Sequence, residues 1–283
     1  MRHVVLLQHG SHGTCRDLAY FRNILEKQLN VVVFETNASE GHRTHDGIVR
    51  CARRFADEFQ KVSTQLFAEE RVVLSVVGHS LGGLILRDAL TYLQFPPHVT
   101  FGTFCSIASP HCGVSQLPVP LRCVGKSVAF LGSQSYKDMF RMSQVVEDAL
   151  VSKQHLECWS KFNRHVFVFT PTDRVVPAQS STLVSQLPAC HIEDNAVTSF
   201  VPWAASLNGS HTTEQKVARQ LLDNVQNAVI VRIDFRRLML DRFTNAALSV
   251  GAHRALVCKA PFDDTKKFGF ISEYLAREVL AVK

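Results

Sequence analysis

The sequence predicts an α/β fold with a mostly parallel sheet of about six strands, flanked by helices and carrying a cap insertion. Two observations predict it. Short β-branched apolar runs alternate along the chain with longer helical patterns, and strands joined by helices of this length form parallel sheets through right-handed crossovers. One apolar run also ends at a G-x-S-x-G motif that leads straight into a helical pattern. The candidate strands are His3–Leu7, Val31–Phe34, Arg71–Val77, Thr100–Ile107, Val166–Thr170 and Val229–Phe235.

The helical and irregular segments complete a single domain over residues 1–283. Residues 47–70 carry apolar side chains at helical spacing, and residues 270–282 supply a closing helix. Residues 114–160 break the alternation with prolines and glycines, and we expect them to form a cap or lid. Residues 180–209 read as an irregular surface excursion. The apolar residues expected on the cap, most of them packing it onto the core, are Phe130, Leu131, Met139, Phe140 and Met142.

Composition restricts the class of protein. The chain has 283 residues, of which 46% are hydrophobic and 20% charged, and its net charge is +6. This is ordinary for a globular protein, and the charge suits solubility or docking on an anionic membrane surface. There is no run of five basic residues and no aromatic-basic motif, so we expect no nucleic-acid partner. The eight cysteines are scattered without a C-x-x-C pair, and no leader is recognised, so we expect free thiols in an intracellular, cytoplasmic protein.

Residues 71–83, RVVLSVVGHSLGG, have the pattern of a nucleophile elbow, in which a strand, a sharp turn and a helix follow in succession. Ser80 would occupy a strained turn that lifts its hydroxyl from the sheet edge. Gly78 and Gly82 would let strand and helix pass closely. The new helix would aim its first N–H groups at a developing oxyanion. Ser80 is therefore the candidate nucleophile.

A serine nucleophile needs a histidine base, which a carboxylate orients, and in this architecture the chain order is serine, acid, histidine. Asp173 follows the strand after the cap and is the candidate acid, although aspartate is also common in turns for local reasons. Glu193 and Asp194 are weaker candidates because they lie in the irregular stretch.

Two histidines compete for the role of base. His253 follows the last strong strand and precedes the closing helix, as a base in this architecture should, and we select it. His211 precedes that strand and is the alternative. If residues 190–192 formed the last strand instead, the choice would reverse.

The oxyanion hole requires two backbone donors. Leu81, directly after the candidate nucleophile, supplies one, and Ser11 in the loop His9–Gly13 is the candidate for the other. The chain also contains thirteen histidines, with pairs three apart at His9/His12 and at His42/His45. Neither pair has a cysteine or carboxylate at convincing ligand spacing. We therefore read these histidines as surface or loop-ordering residues and expect neither a metal nor a cofactor.

The motifs together resemble the putative serine esterases, a family of lipase-like α/β-hydrolases. The resemblance implies Ser80 as nucleophile, Asp173 as acid and His253 as base, and it implies hydrolysis of lipid esters. Members often carry a bulky apolar residue after the His-Gly pair, where this chain has Ser11. The segments that carry the resemblance are Val5–Gly13 with Asp17 downstream, Thr44–Ile48, Val77–Gly83, Ser109–Gly113, Asp173–Pro177 and Gly251–His253.

The expected function is hydrolysis of carboxylic, lipid acyl esters through an acyl-enzyme, with peripheral association with a membrane as a further expectation. Two alternatives stay open at this point. The same site suits a thioesterase or protein deacylase, and a binding module could retain the fold without catalysis.

Overall fold

A computed structural model describes residues 1–115, 117, 122–123, 126–127, 131–184, 197–200, 212–235, 251–259 and 264–281. Its sheet has seven strands in the order β2-β1-β3-β4-β5-β7-β6. Neighbouring strands pair in parallel, except that β6 pairs antiparallel with β7. The strands are β1 (Arg2–Gln8), β2 (Val31–Phe34), β3 (Val72–His79), β4 (Val99–Ile107), β5 (Arg164–Phe169), β6 (Val197–Phe200) and β7 (Ala228–Ile233).

All six predicted strands are present within two residues of their expected ends, so the fold class is confirmed. The seventh, β6, lies in the stretch expected to be irregular. Its four residues, V-T-S-F, neither alternate nor form an apolar run like the V-V-V-F of β2, and they become the edge strand of the sheet by pairing with β7. This strand therefore depends on pairing in the folded protein rather than on a pattern in its own sequence.

Eight α-helices are described in the structure. α2 begins at Ile48 and α8 ends at Leu280, close to the predicted bounds, whereas Val282 lies outside the described residues. The helices are α1 (Ala19–Glu26), α2 (Ile48–Leu66), α3 (Leu81–Ala89), α4 (Gln134–Met139), α5 (Lys153–Ser160), α6 (Ala178–Thr182), α7 (Thr213–Leu222) and α8 (Thr265–Leu280). Short 3-10 turns span Cys15–Leu18, Gly41–His45 and Ala149–Val151.

The sheet is buried on both faces, which explains why its central strands are almost uniformly apolar. All eight residues of β3 are buried. Alternate residues of β1 join opposite core clusters, with Val4 and Leu6 on one side and Val5 and Leu7 on the other. The first cluster contains side chains of α2, α3, α5 and α7, and the second contains side chains of α1 and α8. Two helical layers therefore enclose the sheet.

The predicted insertion, residues 114–160, is partly a core element. α5 is the last helix before β5, and its Trp159 is 1% exposed, with its ring centroid 4.6 Å from that of Phe104. Of the apolar residues expected on the cap, Met139 and Phe140 are buried, Leu131 and Met142 are exposed, and Phe130 lies outside the described residues. In the part of the chain that the structure describes, no helix has the length and apolar character needed to cross a membrane.

Candidate active site

Ser80 lies at the turn between β3 and α3, as the motif predicts. Its backbone has φ 55° and ψ −126°, a conformation that a residue with a side chain rarely adopts and that typically costs about 1–3 kcal/mol. Two bonds hold the turn. The Ser80 N–H donates to the Ile107 carbonyl at 2.8 Å, and the Gly83 N–H donates to the Ser80 carbonyl at 3.2 Å. The strain is thus held by the neighbouring strand and by the first turn of α3.

The glycines of the elbow are required by close backbone contacts. A Cβ atom on Gly78 would lie 2.5 Å from the Gly83 Cα, and one on Gly82 would lie 2.2 Å from the Gln8 carbonyl oxygen. Both neighbours are backbone atoms, which cannot rotate aside. Strand β1, the elbow and α3 therefore approach one another at a distance that only glycine permits.

Replacing Gly82 with alanine is expected to destabilise the protein by about 3 kcal/mol, the upper end of what overpacking costs. The added methyl group meets a backbone oxygen, so β1 or α3 must shift. The matched control is Gly269→Ala in α8, where the new methyl meets the hydroxyl end of the Tyr20 side chain, which can move away. Alanine's better helix propensity, worth about 1 kcal/mol, should leave that variant near wild type. Urea unfolding of both variants measures the difference, and equal stabilities would contradict it.

Asp173 and His253 are brought together from positions 80 residues apart. His253 Nδ1 lies 2.7 Å from Asp173 Oδ2, and the two side chains are 9% and 3% exposed. The other carboxylate oxygen, Oδ1, accepts bonds from the backbone N–H groups of Val175 at 2.7 Å and Val176 at 3.1 Å. The carboxylate is therefore held in one orientation. It accepts the Nδ1 proton of the imidazole, which leaves Nε2 as the ring's acceptor.

His79 connects this pair to the elbow. Its Nε2–H donates to the His253 carbonyl at 3.2 Å, and the two ring centroids are 4.8 Å apart. Burial, followed by the charge of His253, lowers the pKa of His79 well below its usual value, so this ring stays neutral. His79 directly precedes Ser80. The contact therefore places the His253 segment against the turn that carries the candidate nucleophile. Sequence reasoning assigned His79 no role, because the motif leaves that position open.

The loop His9–Gly13 packs directly on Ser80. A Cβ atom on Gly10 would lie 2.8 Å from the Ser80 Cβ. The Gly13 N–H donates to the Gly10 carbonyl, and His12 has φ 51°, so residues 10–13 form a type II turn with Ser11 at its second position. The N–H of Ser11 takes no part in the hydrogen bond that closes this turn. The first N–H groups of a helix likewise have no intrahelical partner, and Leu81 is the first residue of α3.

A second link ties this loop to the base. Lys259 forms an ion pair with Asp17, whose Oδ2 also accepts the Thr14 N–H at 3.2 Å. Lys259 follows His253 by six residues, and Asp17 follows the His9–Gly13 loop by four. The three segments that carry the candidate base, oxyanion donor and nucleophile are thus connected by contacts among described residues.

Two further motifs, Ser109–Gly113 and Thr44–Ile48, form hydrogen bonds that hold segments around the site. The Ser109 hydroxyl donates to the Gly78 carbonyl at 3.3 Å, and the Cys112 N–H donates to the Ser180 hydroxyl at 3.0 Å, which fixes α6 after the acid loop. The Thr44–Ile48 motif docks α4, because the Gly47 N–H donates to Ser135 Oγ at 3.0 Å. The alternative base His211, the weaker acids Glu193 and Asp194, and residues 190–192 lie outside the described residues.

Residues 1–187 match the family model described as putative serine esterase (DUF676). The chain belongs to the putative serine esterase family. The range that matches this putative serine esterase model contains Ser80, the His9–Gly13 loop and Asp173. His253 lies beyond the matched range, and the tertiary structure brings it to Asp173.

Two individual proteins are similar to this putative serine esterase. The putative lipase ROG1 of Saccharomyces cerevisiae (strain ATCC 204508 / S288c) is 31% identical over 124 residues, which is 40% of this chain and 18% of the yeast protein. The alignment therefore spans less than a fifth of that relative's length. The product of the gene lin2722 from Listeria innocua superposes with a TM-score of 0.51 at 9% identity, covering 100% of this chain and 96% of that one. This likeness concerns the fold, which is that of the α/β-hydrolases.

Proposed function

We propose that this protein is a serine hydrolase that cleaves carboxylic esters through an acyl-enzyme, with Ser80 as nucleophile, His253 as base and Asp173 as acid. The observation that carries the proposal is the 2.7 Å bond between His253 Nδ1 and Asp173, formed beside the strained Ser80 turn. An aspartate that orients an imidazole in this way sets the tautomer a general base requires. Membership of a serine esterase family supports the same chemistry.

The proposed reaction begins when His253 Nε2 takes the proton from the Ser80 hydroxyl as its oxygen attacks the ester carbonyl. Asp173 stabilises the imidazolium that forms. The tetrahedral oxyanion accepts bonds from the backbone N–H groups of Leu81 and Ser11. His253 then returns its proton to the departing alcohol, which leaves an acyl group on Ser80. Water, deprotonated by the same imidazole, hydrolyses the acyl-enzyme and restores the serine.

The oxyanion assignment predicts opposite results for two substitutions of Ser11. Ser11→Pro removes the backbone N–H but suits the second position of a type II turn, so the loop should keep its shape while kcat falls by about 10²–10³. Ser11→Ala keeps the N–H and should retain kcat close to wild type. Ester hydrolysis at saturating substrate measures kcat, and thermal unfolding checks the fold. An unchanged kcat in a folded Ser11→Pro variant would show that the Ser11 N–H is not a donor of the oxyanion hole.

A lipid acyl ester is the proposed substrate class. The named yeast relative is a putative lipase. The competing proposal is a thioesterase or protein deacylase at the same site, since both use the same acyl transfer.

A chain-length series separates these substrates. We expect hydrolysis of p-nitrophenyl esters with kcat/KM rising with acyl length, because each buried CH₂ adds about 0.8 kcal/mol of binding. Acyl-thioesters of the same lengths are the matched comparison, and higher kcat/KM for them would redirect the assignment to a thioesterase. A fluorophosphonate probe should label Ser80. No turnover together with no adduct on the folded protein would support a binding module instead.

A further inference from the structure

Three histidines from two separate loops meet beside the proposed oxyanion loop, and we propose that they bind one divalent transition-metal ion, with Zn²⁺ as the probe. The residues are His12, in the type II turn after β1, and His42 and His45, in the 3-10 turn Gly41–His45. One ring nitrogen from each lies within 4.8 Å of the other two. His12 and His42 are exposed and His45 is half-buried, so the cluster opens toward solvent.

The spacing suits a tetrahedral imidazole site. Zinc binds imidazole nitrogen at about 2.0–2.1 Å, which places two ligand nitrogens about 3.3 Å apart at a tetrahedral angle. His12 Nε2 and His45 Nε2 are 2.6 Å apart, and the two ring centroids are 4.1 Å apart. Since the three nitrogens lie within 4.8 Å of one another, binding a metal would require changes in their separations of no more than about 1.5 Å. Three histidines leave the fourth position open to water, as in zinc sites with three protein ligands.

One member of the cluster, His45, has an outer hydrogen bond of the kind that orients a metal-binding histidine. His45 Nδ1 lies 2.6 Å from the Ser133 hydroxyl, and Ser133 also caps α4 by accepting the Tyr136 N–H. With Nδ1 bonded in this way, Nε2 is directed at His12. Ligating histidines usually donate their second ring N–H to such a partner, which fixes the tautomer and the ring orientation.

The backbone holds the two loops together without the metal. The Gly41 N–H donates to the Gly13 carbonyl at 2.9 Å, and the His12 N–H donates to Thr44 Oγ1 at 2.9 Å. Thr44 Oγ1 in turn donates to the Gly41 carbonyl. The ligands are therefore placed before a metal binds.

The sequence pairs His9/His12 and His42/His45 did not reveal this grouping. His9 is buried, and its Nδ1 lies 3.0 Å from the Gly10 carbonyl, so it takes no part. The third ligand comes instead from the other loop. If the proposed function holds, the metal would clamp the turn that carries Ser11 to the segment that docks α4, and would keep the oxyanion donor in place.

Zinc titration of the full chain tests the site. The protein is stripped with EDTA and titrated calorimetrically with Zn²⁺, and Co²⁺ is added to a second sample. Wild type should bind one Zn²⁺ and show the visible absorption of four-coordinate Co²⁺ without thiolate charge-transfer bands, which excludes the eight cysteines as ligands. His42→Ala should weaken binding by more than about 100-fold, and Ser133→Ala by about 10-fold.

His98→Ala is the matched control, because His98 is an exposed histidine outside the cluster. It should bind Zn²⁺ like wild type, and Zn²⁺ should raise the Tm of both but not of His42→Ala. Absence of one-to-one binding in wild type, or equal affinity in His42→Ala, would overturn the proposal and leave a hydrogen-bonded histidine cluster. Ser80→Ala should lose ester hydrolysis but still bind Zn²⁺. The two proposals are therefore tested by independent measurements, and either can fail without the other.

Discussion

Ser80→Ala is expected to lower kcat for ester hydrolysis by about 10⁶-fold, the loss typical of removing the nucleophile from a serine hydrolase. The physical reason is that no acyl-enzyme can form without the hydroxyl, and the oxyanion donors and substrate binding retain only a residual acceleration of about 10³–10⁴ over water. Fluorophosphonate labelling should disappear in the same variant. Single-turnover measurements with a p-nitrophenyl ester give the size of the loss.

The fold should be unaffected by this change. Alanine keeps the Cβ atom and therefore the same backbone strain at φ 55°, and the two backbone bonds of the turn remain. Ser63→Ala on α2 is the matched control, because the Ser63 hydroxyl bonds only to its own helix, at the Gln60 carbonyl. It should keep full activity and labelling. A folded Ser80→Ala protein that still reacts with the probe would show that another residue is the nucleophile.

His253→Ala is expected to cause a loss of similar size, because the serine hydroxyl is not deprotonated without its base. The triad acts as a unit, so this variant and the double variant with Ser80→Ala should be about equally inactive rather than additive. The measurement is kcat for both single variants and the double variant with one ester. A double variant much slower than either single variant would show that Ser80 and His253 contribute to catalysis independently.

His211→Ala is the decisive comparison, since His211 is the competing base from the sequence. It should keep kcat near wild type. Asp173→Asn should lose less than His253→Ala, about 10⁴-fold, since an amide favours the wrong imidazole tautomer but leaves the base in place. An active His253→Ala together with an inactive His211→Ala would reverse the assignment of the base.

The sequence located the elbow because the signal there is local. A G-x-S-x-G motif between a buried strand pattern and a helical pattern specifies a turn, and the structure has that turn at Ser80 with its glycines in backbone contact. The six strands were predictable for the same reason, since both faces of the sheet are covered and its strands are apolar throughout. Strand β6 was not, because V-T-S-F shows neither alternation nor an apolar run, and its pairing with β7 at the edge of the sheet is a tertiary contact.

Two other contacts between distant segments were not predicted from the sequence. His79 touches His253 across 174 positions, and His12 meets His45 across 33. No periodicity links such residues. Likewise, Trp159 packs against Phe104, so α5 belongs to the core. The sequence had instead placed α5 in the 114–160 insertion.

By itself, the sequence determined the class of fold, the order of its elements and the position of the lifted serine, because hydrophobic periodicity and glycine spacing act within a few residues. The chain order favoured His253 and left His211 open, whereas the contact of His253 with Asp173 and the gathering of histidines beside the first loop are seen only in the tertiary structure. Those contacts depend on how parallel strands bring their carboxyl ends to one edge, which is a property of the assembled sheet rather than of any single segment.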